Sequence, residues 1–255
     1  FGRAAESDVD AMQADFFDHV VKGHDAPAWM QRGRVHLFDL GMRVWRVFDA
    51  WPDGPRRTLH LSGRGRAAVR MDDGALVDDA GPAGMERFVH DPWRPVPAFG
   101  LHHGAGSGWR DRSELDARFD VACFTTAPVE APLALAGTPE LTLVVEADAP
   151  DFDVSATLSL VTRDGRVLAL SQGHARLRAG SGTIRPAMRP LCITLAPGEA
   201  LRLSLAGASF PAFPVNPGTG TDPRRATGAE ARPITLGIAT GAGGSRLDLP
   251  LAPAS

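Results

Sequence analysis

The chain has 255 residues, a formal net charge of −3 and an ordinary 44% of hydrophobic residues, enough to bury a substantial core without disulfides or metal, as one large all-β domain or two small ones. Its arginines are scattered among acidic residues, which excludes the basic face or stripe of a nucleic-acid binder. No apolar run approaches the roughly 20 residues that span a bilayer.

The first element predicted is a helix. Val9, Met12, Phe16 and Val20 recur at spacings of three and four, and Phe17 and Val21 widen the stripe. Ser7 and Asp10 have the form of a capping box, and Gly23 supplies a stop. No basic start precedes an apolar stretch here, so no secretory leader is expected at this end.

Beyond this helix the pattern turns to strands. Residues 34–40 and 58–62 come first, followed by 141–147, 154–161, 167–170, 175–178, 191–195, 201–205, 234–239 and 247–251. Turn signals separate them. Asp72-Asp73-Gly74 and Arg163-Asp164-Gly165 carry Asp-Gly steps suited to tight hairpins, and Pro197-Gly198 suits a turn. Arg56-Arg57 and Arg224-Arg225 read as solvated turns. Many short strands punctuated by Gly and Pro predict a jelly-roll-like β-sandwich, not alternating β and α units. Two Pro- and Gly-rich stretches, 91–108 and 210–222, interrupt it. Loops of that length are functional or pack against a neighbouring unit.

Reactive groups are sparse. Cys123 and Cys192 both lie in apolar runs; buried free thiols are expected, with a single disulfide as the alternative. Gly104-Ala105-Gly106-Ser107-Gly108 and Gly180-Ser181-Gly182 lack the spacing and the following helix of a hydrolase nucleophile elbow. His102-His103, with Asp111 and Glu114 downstream, lacks the three or four converging ligands of a zinc site. Asp148, Asp151 and Asp153 carry calcium-type oxygens but read as a polar turn between strands. No metal or other cofactor is expected. Trp45, Trp51, Trp93 and Trp109 suggest core or interface packing before sugar stacking.

A series of short motifs spans nearly the whole chain. It starts with Phe16-Phe17-Asp18-His19-Val20-Val21-Lys22-Gly23, Phe38-Asp39-Leu40-Gly41-Met42-Arg43-Val44-Trp45-Arg46 and Trp51-Pro52. Asp91-Pro92, Pro95-Val96-Pro97, Gly100, Arg118-Phe119-Asp120-Val121, Asp151-Phe152-Asp153 and Asp164-Gly165 come next. Ser209-Phe210-Pro211, Asn216-Pro217, Thr219-Gly220, Ser245-Arg246-Leu247 and Leu249-Pro250 close it. In this order the motifs resemble the C-terminal part of the X-Pro dipeptidyl-peptidase and cocaine-esterase-like serine hydrolases.

The resemblance implies a parent of three parts: an α/β-hydrolase domain, a helical cap and a galactose-binding-domain-like jelly roll. Residues 1–33 would be the last helix of the α/β-hydrolase domain, and 34–255 the jelly roll. The family's Ser-His-Asp triad lies upstream of the segment that resembles residues 16–23, so no triad residue is expected among these. The family's loop after Pro-Val-Pro lines the acyl pocket, which makes Phe99, Leu101, His102 and His103 candidate pocket residues, although the family usually has Gly where Leu101 stands. The same residues would equally serve to dock the sandwich on the hydrolase domain.

Three roles follow: an accessory domain for ester or Xaa-Pro peptide hydrolysis, a carbohydrate- or ligand-binding module, or a homodimerisation unit. The first predicts an exposed apolar surface near the helix at 9–21 and the loop at 99–108.

Overall fold

The computed structural model describes residues 2–31, 35–100 and 108–253. Helix α1 (Val9–Lys22) and a single turn, α2 (Ala28–Gln31), precede the strands. Asp8, not Ser7, is the N-cap of α1, and its carboxylate accepts from Ala11 N at 2.9 Å. An acid there satisfies an orphan amide and faces the positive end of the helix. Gly23 ends the helix at φ 75°, a left-handed conformation that suits a residue without Cβ.

The described residues then form β1 (Val35–Asp39), β2 (Val44–Phe48), β3 (Arg56–Ser62), β4 (Ala75–Val77) and β5 (Gly84–His90). A short helix, α3 (Ser113–Asp116), is followed by β6 (Val121–Thr125), β7 (Leu133–Gly137), β8 (Glu140–Ala147) and β9 (Phe152–Val161). Next come β10 (Val167–Leu177), β11 (Ser181–Ile184), β12 (Leu191–Leu195), β13 (Ala200–Ala206), β14 (Ile234–Thr240) and β15 (Arg246–Pro250).

The strands form a β-sandwich. In one layer β10, β9, β13 and β6 lie side by side. Opposite, β8 pairs with β11, β14 and β15, while β14 pairs with β5 and β15 with β3. The three-residue β4 joins the layers, pairing with β3 and touching β6 at Ala75–Thr125. A β7–β12 ribbon closes one end, tied to the β1–β2 hairpin by Leu40 N donating to Cys192 O.

Period-two alternation builds the core. Phe152, Val154, Ala156, Leu158 and Leu160 of β9 point the same way as Leu201, Leu203 and Leu205 of β13. They pack in one cluster with Leu141 and Leu143 of β8, Ile234, Leu236 and Ile238 of β14, and Leu247 and Leu249 of β15.

The Asp164-Gly165 step lies between β9 and β10, as its hairpin reading predicts, with Gly165 at φ 84°. Asp72-Asp73-Gly74 makes no tight hairpin. It ends a long excursion between β3 and β4, in which Asp73 accepts from Arg64 N and Arg66 N. The two strands read at 167–170 and 175–178 are one, β10, with a register shift between Ala169 and Ser171. Arg56-Arg57 lies in β3, not in a turn; Arg56 pairs with Glu140 at 2.9 Å and Arg57 with Asp78 at 2.7 Å. Both cysteines are free and buried.

Candidate docking and cleft-lining site

The second face of the β10–β9–β13–β6 layer is buried as well. The β9 residues that alternate with its core side chains, Asp153, Ser155, Thr157 and Ser159, are at most 5% exposed. The cover is the described part of the two long Pro- and Gly-rich stretches, which fold back onto the sandwich itself. Val96 packs with Val121, Cys123, Ala206 and Leu115. Ala98 N donates to Phe210 O at 2.6 Å and Phe210 N to Val96 O at 3.0 Å, which ties the two stretches together. Gln172 Nε2 donates to Ser209 Oγ at 3.0 Å, and Phe213 stacks on His174 with ring centroids 4.0 Å apart.

A polar network pins this cover. Asp153 accepts from Arg176 Nε and Nη2 at 2.6 and 2.7 Å. Its Oδ1 also lies 3.3 Å from Asn216 Nδ2. Asn216, fully buried, accepts from Gly218 N through its side chain, and its carbonyl lies 3.1 Å from His90 Nε2. Burial alone would raise the Asp153 pKa, but the hydrogen bonds from Arg176 and His174 hold it below the usual carboxylate range. Burial depresses the His90 pKa, so the neutral ring is preferred. A second buried pair, Arg112 and Asp116 at 3.0 Å, sits beside Cys123, whose thiol burial and the Asp116 charge push up to about 12.

Within this network Ser155 Oγ lies 2.8 Å from His174 Nδ1, and His174 Nε2 lies 3.5 Å from Asp153 Oδ2. The three residue types are those of a hydrolase triad, but the chemistry differs. Ser155 lies within regular strand β9, 4% exposed, and the carboxylate is committed to a guanidinium. A nucleophile-elbow serine stands exposed on a sharp strand-to-helix turn, whereas this array ties β9 to β10 beneath the cover. The sequence does not announce the network because the groups that meet across it are 19 to 126 residues apart.

Phe99 stands at the edge of the cover, 38% exposed, beyond the Pro97–Phe210 bridge. Leu101, His102 and His103 lie outside the described residues. The acidic turn has other duties: Asp148 accepts from Thr235 N at 2.8 Å, and Asp153 belongs to the network. Of the four tryptophans, Trp109 packs against the core, whereas Trp45, Trp51 and Trp93 are exposed, so core packing accounts for Trp109 alone.

The second feature is an apolar groove of about 1000 Å³ between α1 and the β1–β2 hairpin, lined by Val9, Met12, Phe16, Trp29, Trp45 and Val47. No residue of α1 is buried; Phe17 and Val21, on its predicted apolar stripe, are 58% and 74% exposed. His36 lines the same groove, and its Nε2 is buried without a hydrogen-bond partner among the described residues. A helix stripe of this kind ordinarily packs on something. Here it is open.

Comparison with known proteins places the chain. The sequence pattern of the X-Pro dipeptidyl-peptidase C-terminal non-catalytic domain matches residues 27–240. Cocaine esterase of Rhodococcus sp. (strain MB1 Bresler) is 29% identical over 243 residues, covering 86% of this chain and 42% of that enzyme. An aminopeptidase from the marine sediment archaeon Thaumarchaeota archaeon has a TM-score of 0.76 at 22% identity, over 94% of this chain and 43% of that one. An alpha-amino acid ester hydrolase has a TM-score of 0.76 at 21% identity, over 96% and 46%. At such identities the structural likeness speaks for the fold alone. The chain spans less than half the length of each of these relatives. It belongs to the X-Pro dipeptidyl-peptidase C-terminal non-catalytic domain family.

Proposed function

We propose that the chain is the C-terminal accessory domain of a serine hydrolase that cleaves acyl esters or Xaa-Pro peptides. In this reading residues 34–255 are the accessory jelly roll, and 1–33 end the α/β-hydrolase domain on which it sits. Catalysis is the work of the α/β-hydrolase and cap domains, and the loop at 99–108 shapes substrate access, with Phe99, Leu101, His102 and His103 lining the cleft. The family match favours this role over a free-standing carbohydrate-binding module.

The observation that carries the proposal is the uncovered apolar face of α1 and the β1–β2 hairpin. Contiguous exposed apolar surface marks an interaction site. The test is binding of a hydrophobic fluorescent dye, with sedimentation alongside. The chain should bind the dye; a Phe17→Ser/Val21→Ser variant should lose most of that signal while melting at the same temperature. A face that binds no dye would contradict domain docking. So would a stable dimer that buries the face, which would establish the homodimerisation role instead.

A further inference from the structure

A second cavity lies away from the α1 groove, at the end of the sandwich where the β1–β2 turn meets the β9–β10 and β12–β13 turns. Its volume is about 540 Å³, within the few-hundred to thousand Å³ range of small-molecule pockets. Phe38, Trp109, Leu160 and Leu168 form apolar walls, so the site resembles a ligand pocket more than a wet surface cleft.

Nearly all of its polar side chains are already engaged. Thr194 Oγ1 donates to Asp39 at 2.6 Å, Arg166 Nε to Asp164 at 2.9 Å, and Glu199 accepts from Ala196 N at 2.8 Å. Thr162 donates to Asp164. Arg43 is the exception. Its backbone is fixed at φ 58°, with its N–H on Asp39 O, and its guanidinium has no ion pair or side-chain hydrogen bond among the described residues. An uncommitted guanidinium beside apolar walls is the complement of one class of molecule. Its planar fork matches a carboxylate, and the walls accept a hydrocarbon body.

We propose that this cavity binds an amphipathic monocarboxylate, with the apolar body against Trp109, Leu160 and Leu168 and the carboxylate on Arg43. This is a binding site in its own right and does not rest on the hydrolase reading. Glu199 is the one carboxylate in the lining, and one of its oxygens is occupied by Ala196 N.

The experiment is a titration of the whole chain with octanoate and, separately, octan-1-ol. It follows the Trp109 indole N–H by NMR, with a Trp109→Phe variant to assign the signal. Octanoate should saturate and bind about tenfold more tightly than the alcohol, the worth of one charge-assisted hydrogen-bonded contact. Arg43→Asn, chosen because Asn tolerates a left-handed backbone, should bring octanoate down to the level of the alcohol. Ala196→Phe, which fills the cavity from a half-buried position, should abolish binding of both while leaving the melting temperature nearly unchanged. The proposal is overturned if millimolar octanoate leaves the signal unmoved. Equal binding of acid and alcohol, an octanoate affinity undiminished by Arg43→Asn, or octanoate binding that survives Ala196→Phe overturns it too.

Discussion

Asn216 does not titrate, yet it joins two groups that do: its carbonyl meets His90 and its side chain meets Asp153. Both set how the fold responds to acid. His90 has a lowered pKa in the folded state, so the unfolded chain takes up a proton first, and stability falls as pH drops below about 6.5. Asp153 is also lowered; its contribution is complete above the unfolded value and is lost as pH falls below about 4 toward the folded pKa. Melting temperature against pH should therefore decline in two stages, and His90→Gln should remove the upper one. Asp153→Asn leaves Arg176 without its carboxylate in a partly buried setting and should cost roughly 2–3 kcal/mol at neutral pH by denaturant unfolding. The thiols give a third expectation. Cys123 and Cys192 are buried, with pKa values pushed up to about 12 and about 11. A thiol-disulfide reagent at mildly alkaline pH should leave both untouched in the native chain and label both on denaturation. Rapid native labelling of Cys123 would show that the cover opens readily.

Among the elements, β9 carries the most, with its apolar residues in the core and its polar residues under the cover. Leu158→Ala should cost about 3 kcal/mol, since a closely packed core relaxes only partly around a lost side chain. Strands with regular alternation were legible, and β12 matches its predicted 191–195 span residue for residue. Those that break the rule were not. In β5 the inward residue at 86 is a glutamate, buried because it accepts from Gly65 N and Ala67 N; no local pattern announces such partners. In β7 the alternation is Leu with Ala and contains no polar residue to mark a face, and β4 has only three residues. The same physics hid the polar network. Ser and Thr alternating with Leu read as a solvent face, and only the folded-back 91–100 and 207–232 segments cover them. The apolar stripe of α1 was legible from spacing alone, whereas the motifs around Asn216 and Ser209 showed a resemblance without revealing that they anchor a cover.

As a whole the molecule pairs a closed sandwich with one open apolar face. The sandwich is complete in itself: its core is continuous, and both faces of the β10–β9–β13–β6 layer are buried. The α1–hairpin face is where a larger assembly would continue. This asymmetry fits the proposed accessory role, and the matched relatives extend over more than twice the length of this chain. The most direct test of the account is to offer the chain a p-nitrophenyl ester series and an Xaa-Pro chromogenic peptide, alongside a fluorophosphonate serine probe. Neither turnover nor labelling is expected. Saturable turnover with labelling, abolished by one serine substitution, would contradict it and place a working nucleophile within this chain.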